Sequence, residues 1–245
     1  MKQQILKITE NIRVAENVYK MVLEDPELEE MKPGQFVNIR LDGLYLRRPI
    51  SVCESEAGSL TIIYKAVGKG TEQMSRMKER EKLDVLTGLG NGYDLTKAGD
   101  RPLLLGGGVG VPPLVMLARK LREQGKDVTV VLGFNTMEEV FGQAAFENMG
   151  VNTIVTTADG TFGTKGFVTD AMRDLDYTYF YACGPEPMLR AVWREASTSG
   201  QLSFEERMGC GFGACMGCSC RTLTGSKRIC KDGPVLRKEE IAWEG

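Results

Sequence analysis

The chain contains no histidine. Without imidazole there is no Rieske-type ligation, no His-bearing zinc site and no Ser-His or Cys-His nucleophilic pair. Long apolar runs are also missing; nothing approaches the roughly 20 residues that a membrane-spanning helix needs. Neither charge sign dominates. A formal net charge of −2 speaks against nucleic acid or an acidic membrane as an obligatory partner. The opening Met1-Lys-Gln-Gln-Ile-Leu6 has no long apolar core and does not read as a secretion signal. What remains, 245 residues at 42% hydrophobic and 26% charged, fits a soluble globular chain. Its length suits one large domain, or two with an appendage.

Cysteine is present in an uneven way. There are seven, an odd number, and five of them fall between residues 210 and 230. Clustered and without a secretion signal, they do not form a disulfide framework, and a reducing cytoplasm is the natural compartment. The run Cys210-Gly-Phe-Gly-Ala-Cys215-Met-Gly-Cys218 separates its thiols by four residues and then two. That is the plant-type spacing for a 2Fe–2S cluster, which is completed by a later cysteine. Gly211, Gly213 and Gly217 let the backbone wrap closely and offer bare N–H groups to sulfur. Cys230 is the expected fourth ligand. Cys220 follows Cys218 by only two residues, so in an extended chain both would point one way with room for one. Structural zinc is the competing reading, but it usually shows two Cys-x-x-Cys pairs and only one is present. Cys53 and Cys183 read as a buried thiol and a thiol beside a site. From Arg221 to Lys238 six cations stand against Asp232. They could ease cluster reduction or meet an acidic partner, or simply form a solvated face.

Upstream the pattern changes twice. Residues 18–23, 35–41, 59–64 and 82–86 alternate or run apolar at strand length, punctuated by Pro33-Gly34, Asp42-Gly43, Ala57-Gly58 and Asn91-Gly92. They predict a small closed β-barrel over residues 1–98. A short helix is expected over 71–77, with Thr71 as its N-cap. From residue 99 to 200 strands at 102–105, 128–132, 152–156 and 177–182 alternate with helical stretches ending near 124 and spanning 185–197. That rhythm predicts a doubly wound, Rossmann-like parallel sheet. Residues 201–245 are too few for a core and need a metal or another staple.

Two further motifs carry chemistry. Gly106-Gly-Gly-Val-Gly110 follows a strand and precedes a helix with Pro112-Pro113, as a pyrophosphate cradle does. Alone it is only a glycine-rich turn. Cys183-Gly184-Pro185-Glu-Pro-Met188, closing a later strand, supplies a second loop at the same end of the sheet, where such folds bind nucleotides. In the barrel, Arg47-Arg48-Pro49-Ile50-Ser51 precedes Ile63-Tyr64-Lys65 and Gly70-Thr71. By itself an Arg near a Ser in a barrel is equally well structural.

With R-P-x-S in a barrel, G-G-G-x-G in an α/β region and C-G-P-x-x-M near its end, the chain resembles the ferredoxin reductase-like flavoprotein superfamily. Glu206-Arg-Met-Gly-Cys210 and Arg228-Ile-Cys-Lys-Asp-Gly-Pro234 narrow the resemblance to the electron-transfer subunits of NAD-dependent dihydroorotate dehydrogenases. The resemblance runs over essentially the whole chain and implies a division of labour. FAD would lie between barrel and α/β region, with Arg48 on its diphosphate and Ser51 on the isoalloxazine edge. Pro49 and Ile50 stand where many relatives carry an aromatic, so stacking from that position is lost. Ile63, Tyr64 and Lys65 would line the flavin, and Gly70 and Thr71 would hold diphosphate. NAD would dock on Gly107, Gly108, Gly110, Cys183, Gly184 and Pro185, and the cluster on Cys210, Cys215, Cys218 and Cys230. No catalytic acid or base is implied. The implied partner is an FMN-containing catalytic subunit, in a heterotetramer of two plus two chains serving pyrimidine biosynthesis. Close alternatives are a subunit of a ferredoxin:NADP oxidoreductase or of a sulfhydrogenase. A non-catalytic redox-sensing module is a third.

A 2′-phosphate would call for Arg or Lys on the loops after the middle strands. Gly133–Glu139 and Thr157–Thr161 contain none, and they carry three carboxylates. NADH is therefore expected to be preferred over NADPH. Steady-state kcat/KM with each nucleotide tests this, and equal values would overturn it.

Overall fold

The computed structural model describes residues 1–243. Six strands, β1 (Lys2–Ala15), β2 (Val18–Glu24), β3 (Phe36–Ile39), β4 (Arg48–Glu56), β5 (Ser59–Lys65) and β6 (Lys82–Leu89), close an antiparallel barrel. Their order is β1-β2-β5-β4-β3-β6, with β6 pairing back onto β1. β5 shows why: Leu60, Ile62 and Tyr64 are buried, while the residues between them are not. That two-residue period is a strand with one face in the core. β1 escaped the sequence reading because only Leu6 and Ile8 of its 14 residues are buried. β4 was also missed, since Arg-Arg-Pro breaks the apolar pattern at its start.

Between β5 and β6 lies helix α1 (Lys69–Ser75). It begins two residues before the expected start, and Thr71 is its third residue, not its N-cap. The Thr71 hydroxyl instead reaches back, accepting from the backbone N–H of Val67 and Gly68 at 3.0 and 3.3 Å.

Then follow β7 (Pro102–Gly107), α2 (Pro112–Glu123), β8 (Thr129–Phe134), α3 (Gln143–Glu147), β9 (Asn152–Thr157), β10 (Thr164–Lys165), α4 (Val168–Met172), β11 (Tyr179–Cys183), α5 (Glu186–Glu195) and β12 (Gly200–Ser203). The last segment adds β13 (Ser219–Thr222), β14 (Gly225–Arg228) and β15 (Val235–Arg237). The sheet order is β10-β9-β8-β7-β11-β12-β15, parallel until β15 joins antiparallel. Leu103, Leu104 and Leu105 are fully buried, as strands covered on both faces must be. The chain winds outward from β7 to β10, then returns to place β11 on the other side of β7. The switch in direction between β7 and β11 opens a crevice at their carboxyl ends. A division after residue 200 passes through β12, so the cysteine-rich tail shares this sheet and is not a separate body.

α2 packs the α/β unit onto the barrel. Met116 on α2 is fully buried among barrel core residues. Arg119 pairs with Glu54 and Glu56 at 3.4 and 3.0 Å, and Lys120 with Glu30 at 2.9 Å. A register shift between Val52 and Glu54 marks a bulge in β4 at Cys53. Val52 then faces the barrel core, while Cys53 joins Val111, Leu114 and Val115 beneath α2. Burial pushes the Cys53 thiol up to about 12, in line with a structural thiol. Met116→Ala should cost about 2–5 kcal/mol, read by denaturant unfolding. A loss under about 1 kcal/mol would mean that α2 does not anchor the two units.

Candidate functional site

Every group expected to bind nucleotide, flavin or metal lies within the described residues. The two nucleotide motifs meet. β7 and β11 are neighbours in register Gly106–Cys183, so their end loops emerge side by side. A Cβ on Gly110 would stand 2.2 Å from the Cys183 carbonyl oxygen, and one on Gly107 would stand 2.4 Å from Met188 Sδ. At Gly110, where the neighbour is backbone, only glycine allows this approach. Gly108, at φ +51°, has open space beside it. α2 and α5 both start here without a side-chain cap, and proline occupies their first turns. α2 opens with two prolines, which have no N–H, and Leu114 N–H donates to the Val111 carbonyl at 3.0 Å, so on this side N–H groups for an anion would come from the glycine turn. Cys183 itself is buried against Tyr93 and Ser203; burial pushes its thiol up to about 12, so it stays protonated.

The barrel wall next to the crevice carries the flavin candidates. Of the two arginines, Arg47 is occupied: it grips Asp84 at 2.9 and 3.0 Å. Arg48 has no carboxylate partner among the described residues; it reaches the backbone carbonyl of Leu46 and lies against Gly70. Arg48, Gly70 and Thr71 are thus one locus with an uncommitted positive charge. In the antiparallel register Ser51 opposes Phe36 and Pro49 opposes Asn38. Residues directly opposite share a face. Ile50 instead packs toward the barrel core. Ile63 and Lys65 face outward on β5, and Lys65 ties to Glu139 across the crevice at 2.9 Å. Tyr64 differs from the expectation. Its side chain points into the barrel, stacks on Tyr19 at 5.9 Å and donates to Asn11 at 3.1 Å. Its ring cannot stack on a flavin, and only its backbone faces the wall.

The cysteine loop forms two sulfur pairs. Cys210 Sγ accepts from the N–H groups of Phe212, Ala214 and Cys215 at 3.2–3.5 Å. Cys215 Sγ accepts from Cys210 and Gly217 at 3.4 and 3.5 Å. Cys230 N–H in turn donates to Cys218 Sγ at 3.4 Å. Burial raises the Cys210 thiol, but these N–H donors outweigh it and bring it down to about 6. Burial, then the neighbouring sulfurs of Cys218 and Cys210, push Cys230 up to about 12. Crowded thiols with N–H donors suit an occupant that brings positive charge. The N–H···S contacts join Cys210 with Cys215 and Cys218 with Cys230, the two-by-two division of thiolates that a 2Fe–2S cluster would take. Cys220 is not among them. It lines a separate cleft of about 210 Å³ with Glu205, Glu206, Arg221 and Trp243.

The sequence reading missed the residues that hold this loop. Arg228 binds Asp232 through two nitrogens and donates to the Gly213 carbonyl at 3.1 Å. Asn91, on the barrel side, donates to Val235 at 2.8 Å and accepts from its N–H at 3.2 Å. Half of the cationic tail is paired at home: Lys227 and Arg237 with Glu240, and Arg228 with Asp232. On the nucleotide side, Lys165 lies over Gly160, so the loop read as free of cations has one against it.

The family model for the iron–sulfur cluster binding domain of dihydroorotate dehydrogenase B matches residues 205–242. The oxidoreductase NAD-binding domain matches residues 104–194. The dihydroorotate dehydrogenase B (NAD(+)) electron transfer subunit of Geobacillus sp. (strain WCH70) is 44% identical over 98% of this chain and 99% of its own. The chain belongs to that family. The Fusobacterium nucleatum subunit is 42% identical over the full length of both. Among solved structures, an NADH-dependent reduced ferredoxin-NADP oxidoreductase aligns with a TM-score of 0.89 at 33% identity, covering 98% of this chain and 90% of that one. Phthalate dioxygenase reductase, at 17% identity and a TM-score of 0.70 over 90% and 87%, shares the fold. FAD, a 2Fe–2S cluster and NAD are the cofactors of this family's fold, and the three loci above offer a cation, paired thiols and bare N–H groups for them. Cys220→Ser should keep wild-type iron content and visible absorbance, whereas Cys230→Ser should lose both. The reverse result would exchange the two residues.

Proposed function

We propose that this chain carries electrons between NAD and an FMN-containing dihydroorotate dehydrogenase catalytic subunit, in a cytoplasmic assembly of two plus two chains. The carrying observation is that the three loci adjoin: Asn38 on the barrel wall donates to the Cys210 carbonyl, Tyr93 just past β6 donates to Ala182 on β11, and β11 runs beside β7 at the crevice. In the physiological direction dihydroorotate is oxidised on the partner and NAD⁺ is reduced here.

When bound, FAD exchanges an electron pair with the nucleotide and the 2Fe–2S centre passes electrons singly. The chain's own residues bind and orient. Arg48, beside Gly70 and Thr71, offers its unpaired charge to the flavin diphosphate. Pro49, Ser51, Ile63 and Lys65 form the outward wall for the ring system, with Ile50 and Tyr64 supporting it from the core. Gly107, Gly108, Gly110, Gly184 and Pro185 present backbone to the NAD diphosphate, and Cys183 holds their spacing. Cys210, Cys215, Cys218 and Cys230 hold iron. The chain has no imidazole to serve as an acid or base, and the Cys53 and Cys183 thiols stay protonated. Glu138 and Asp159 face the ribose side and disfavour a 2′-phosphate, with Lys165 a partial counterweight.

A second reading, the same relay feeding a different acceptor, draws on the likeness to the ferredoxin-NADP oxidoreductase. The higher identity over full length to dihydroorotate dehydrogenase subunits favours the first. Cys215→Ser in the two-subunit complex decides whether the cluster is on the path. NADH should still bleach the flavin, while dihydroorotate–NAD turnover should fall at least a hundredfold, on the order of losing an obligatory carrier. Turnover within about twofold of wild type would remove the cluster from the path.

A further inference from the structure

Asn38 sits on β3 and is 1% exposed. Its strand neighbours Val37 and Ile39 fill the barrel core, so Asn38 and Phe36 point outward. The register places Asn38 opposite Pro49 and Phe36 opposite Ser51, all four on one outward face, from which Asn38 reaches the cysteine loop. Asn38 Nδ2 donates to the Cys210 carbonyl at 3.2 Å. A Cβ on Gly211 would stand 2.3 Å from that same nitrogen, and Gly211 has φ +80°. The loop's glycine is therefore what lets the amide close on Cys210. Arg47 satisfies the Asn38 backbone carbonyl at 3.3 Å, and Pro49 opposite has no N–H to give.

The other end of the amide is unmet. Asn38 Oδ1 is buried and has no hydrogen-bond partner among the described residues. Buried amide oxygens rarely stay unpaired, because losing water without gaining a donor is costly. The orphan oxygen lies on the face shared with Ser51, between the flavin wall and the first cysteine. We propose that Asn38 is a positioning residue linking the two redox sites: its NH2 fixes the Cys210 loop, and its Oδ1 accepts a hydrogen bond from an N–H or O–H of the bound flavin. The inference rests on the reading of this wall as the FAD site. One amide then sets the placement of the flavin relative to the first cysteine ligand.

The test uses the full chain loaded with FAD and iron–sulfur. In Asn38→Leu, FAD dissociation followed by flavin fluorescence should weaken roughly five- to tenfold, the loss of one neutral hydrogen bond. The EPR signal of the chemically reduced cluster should shift, with iron content unchanged. Asn38→Asp keeps the acceptor and loses the donor. It should hold FAD within about threefold of wild type yet shift the EPR signal, and it decides the matter if Asn38→Leu does not fold. Wild-type affinity and an unshifted signal in the variants would overturn the proposal. So would equal FAD loss in both. Failure of the wild-type chain itself to hold FAD and iron would instead overturn the underlying reading of the site.

Discussion

The pairing of β15 with β12 holds the three functional regions in one frame. Three residue pairs, Gln201–Arg237, Leu202–Leu236 and Ser203–Val235, place the end of the tail on the edge of the nucleotide sheet. The cysteine loop and the β13–β14 hairpin lie between those two strands in sequence, so the pairing closes them into a loop anchored at both ends. Cys230, five residues before β15, is thereby drawn back onto Cys218. Asn91 then ties the same strand to the barrel. A tail too small for a core of its own gains rigidity by sharing the core of its neighbour: Cys218, Ile229 and Cys230 are buried with Leu105, Phe180 and Leu202.

Electrostatics follow the same economy. Charges that could disturb redox groups are paired locally, as Arg47 with Asp84, Arg228 with Asp232, and Lys227 and Arg237 with Glu240. Arg48 is the exception on the barrel wall. Thiols divide likewise by surroundings. Cys53 and Cys183 are held protonated chiefly by burial, while Cys210 lies in a nest of N–H donors that favours the thiolate.

The α/β half was legible because parallel strands are buried on both faces and read as unbroken apolar runs, as at Leu103–Leu105. The barrel was only partly so. β1 is long but mostly exposed, and β4 opens with two arginines and a proline, so neither shows a strong period. Thr71 was given the wrong place in its helix because a threonine that reaches back from the third position leaves the same sequence trace as a cap. The cysteine spacing named the metal-binding candidates outright, since ligand spacing is local. Tyr64, set along the flavin by the resemblance, turns its ring into the barrel core, which a strand's alternation alone does not tell apart from the outer face. Asn38 left no signal, and Asn91 and Arg228 were read only as a turn and a tail cation, without the contacts they make. Asn38 and Asn91 act on partners that only the folded chain brings near, Cys210 lying 172 positions after Asn38 and Val235 lying 144 after Asn91.

That long-range contact has a consequence for how such a chain can vary. The barrel wall and the cysteine loop are encoded at opposite ends of the sequence, yet a single amide spans them and requires glycine at 211. A change on either side is felt on the other: a larger residue at 211 displaces Asn38, and a smaller one at 38 frees the Cys210 carbonyl. The barrel wall and the cysteine loop are thus mechanically one unit, although they come from different stretches of chain. Coupling of this kind needs no motion; it is set by packing at the point where β3 meets the loop.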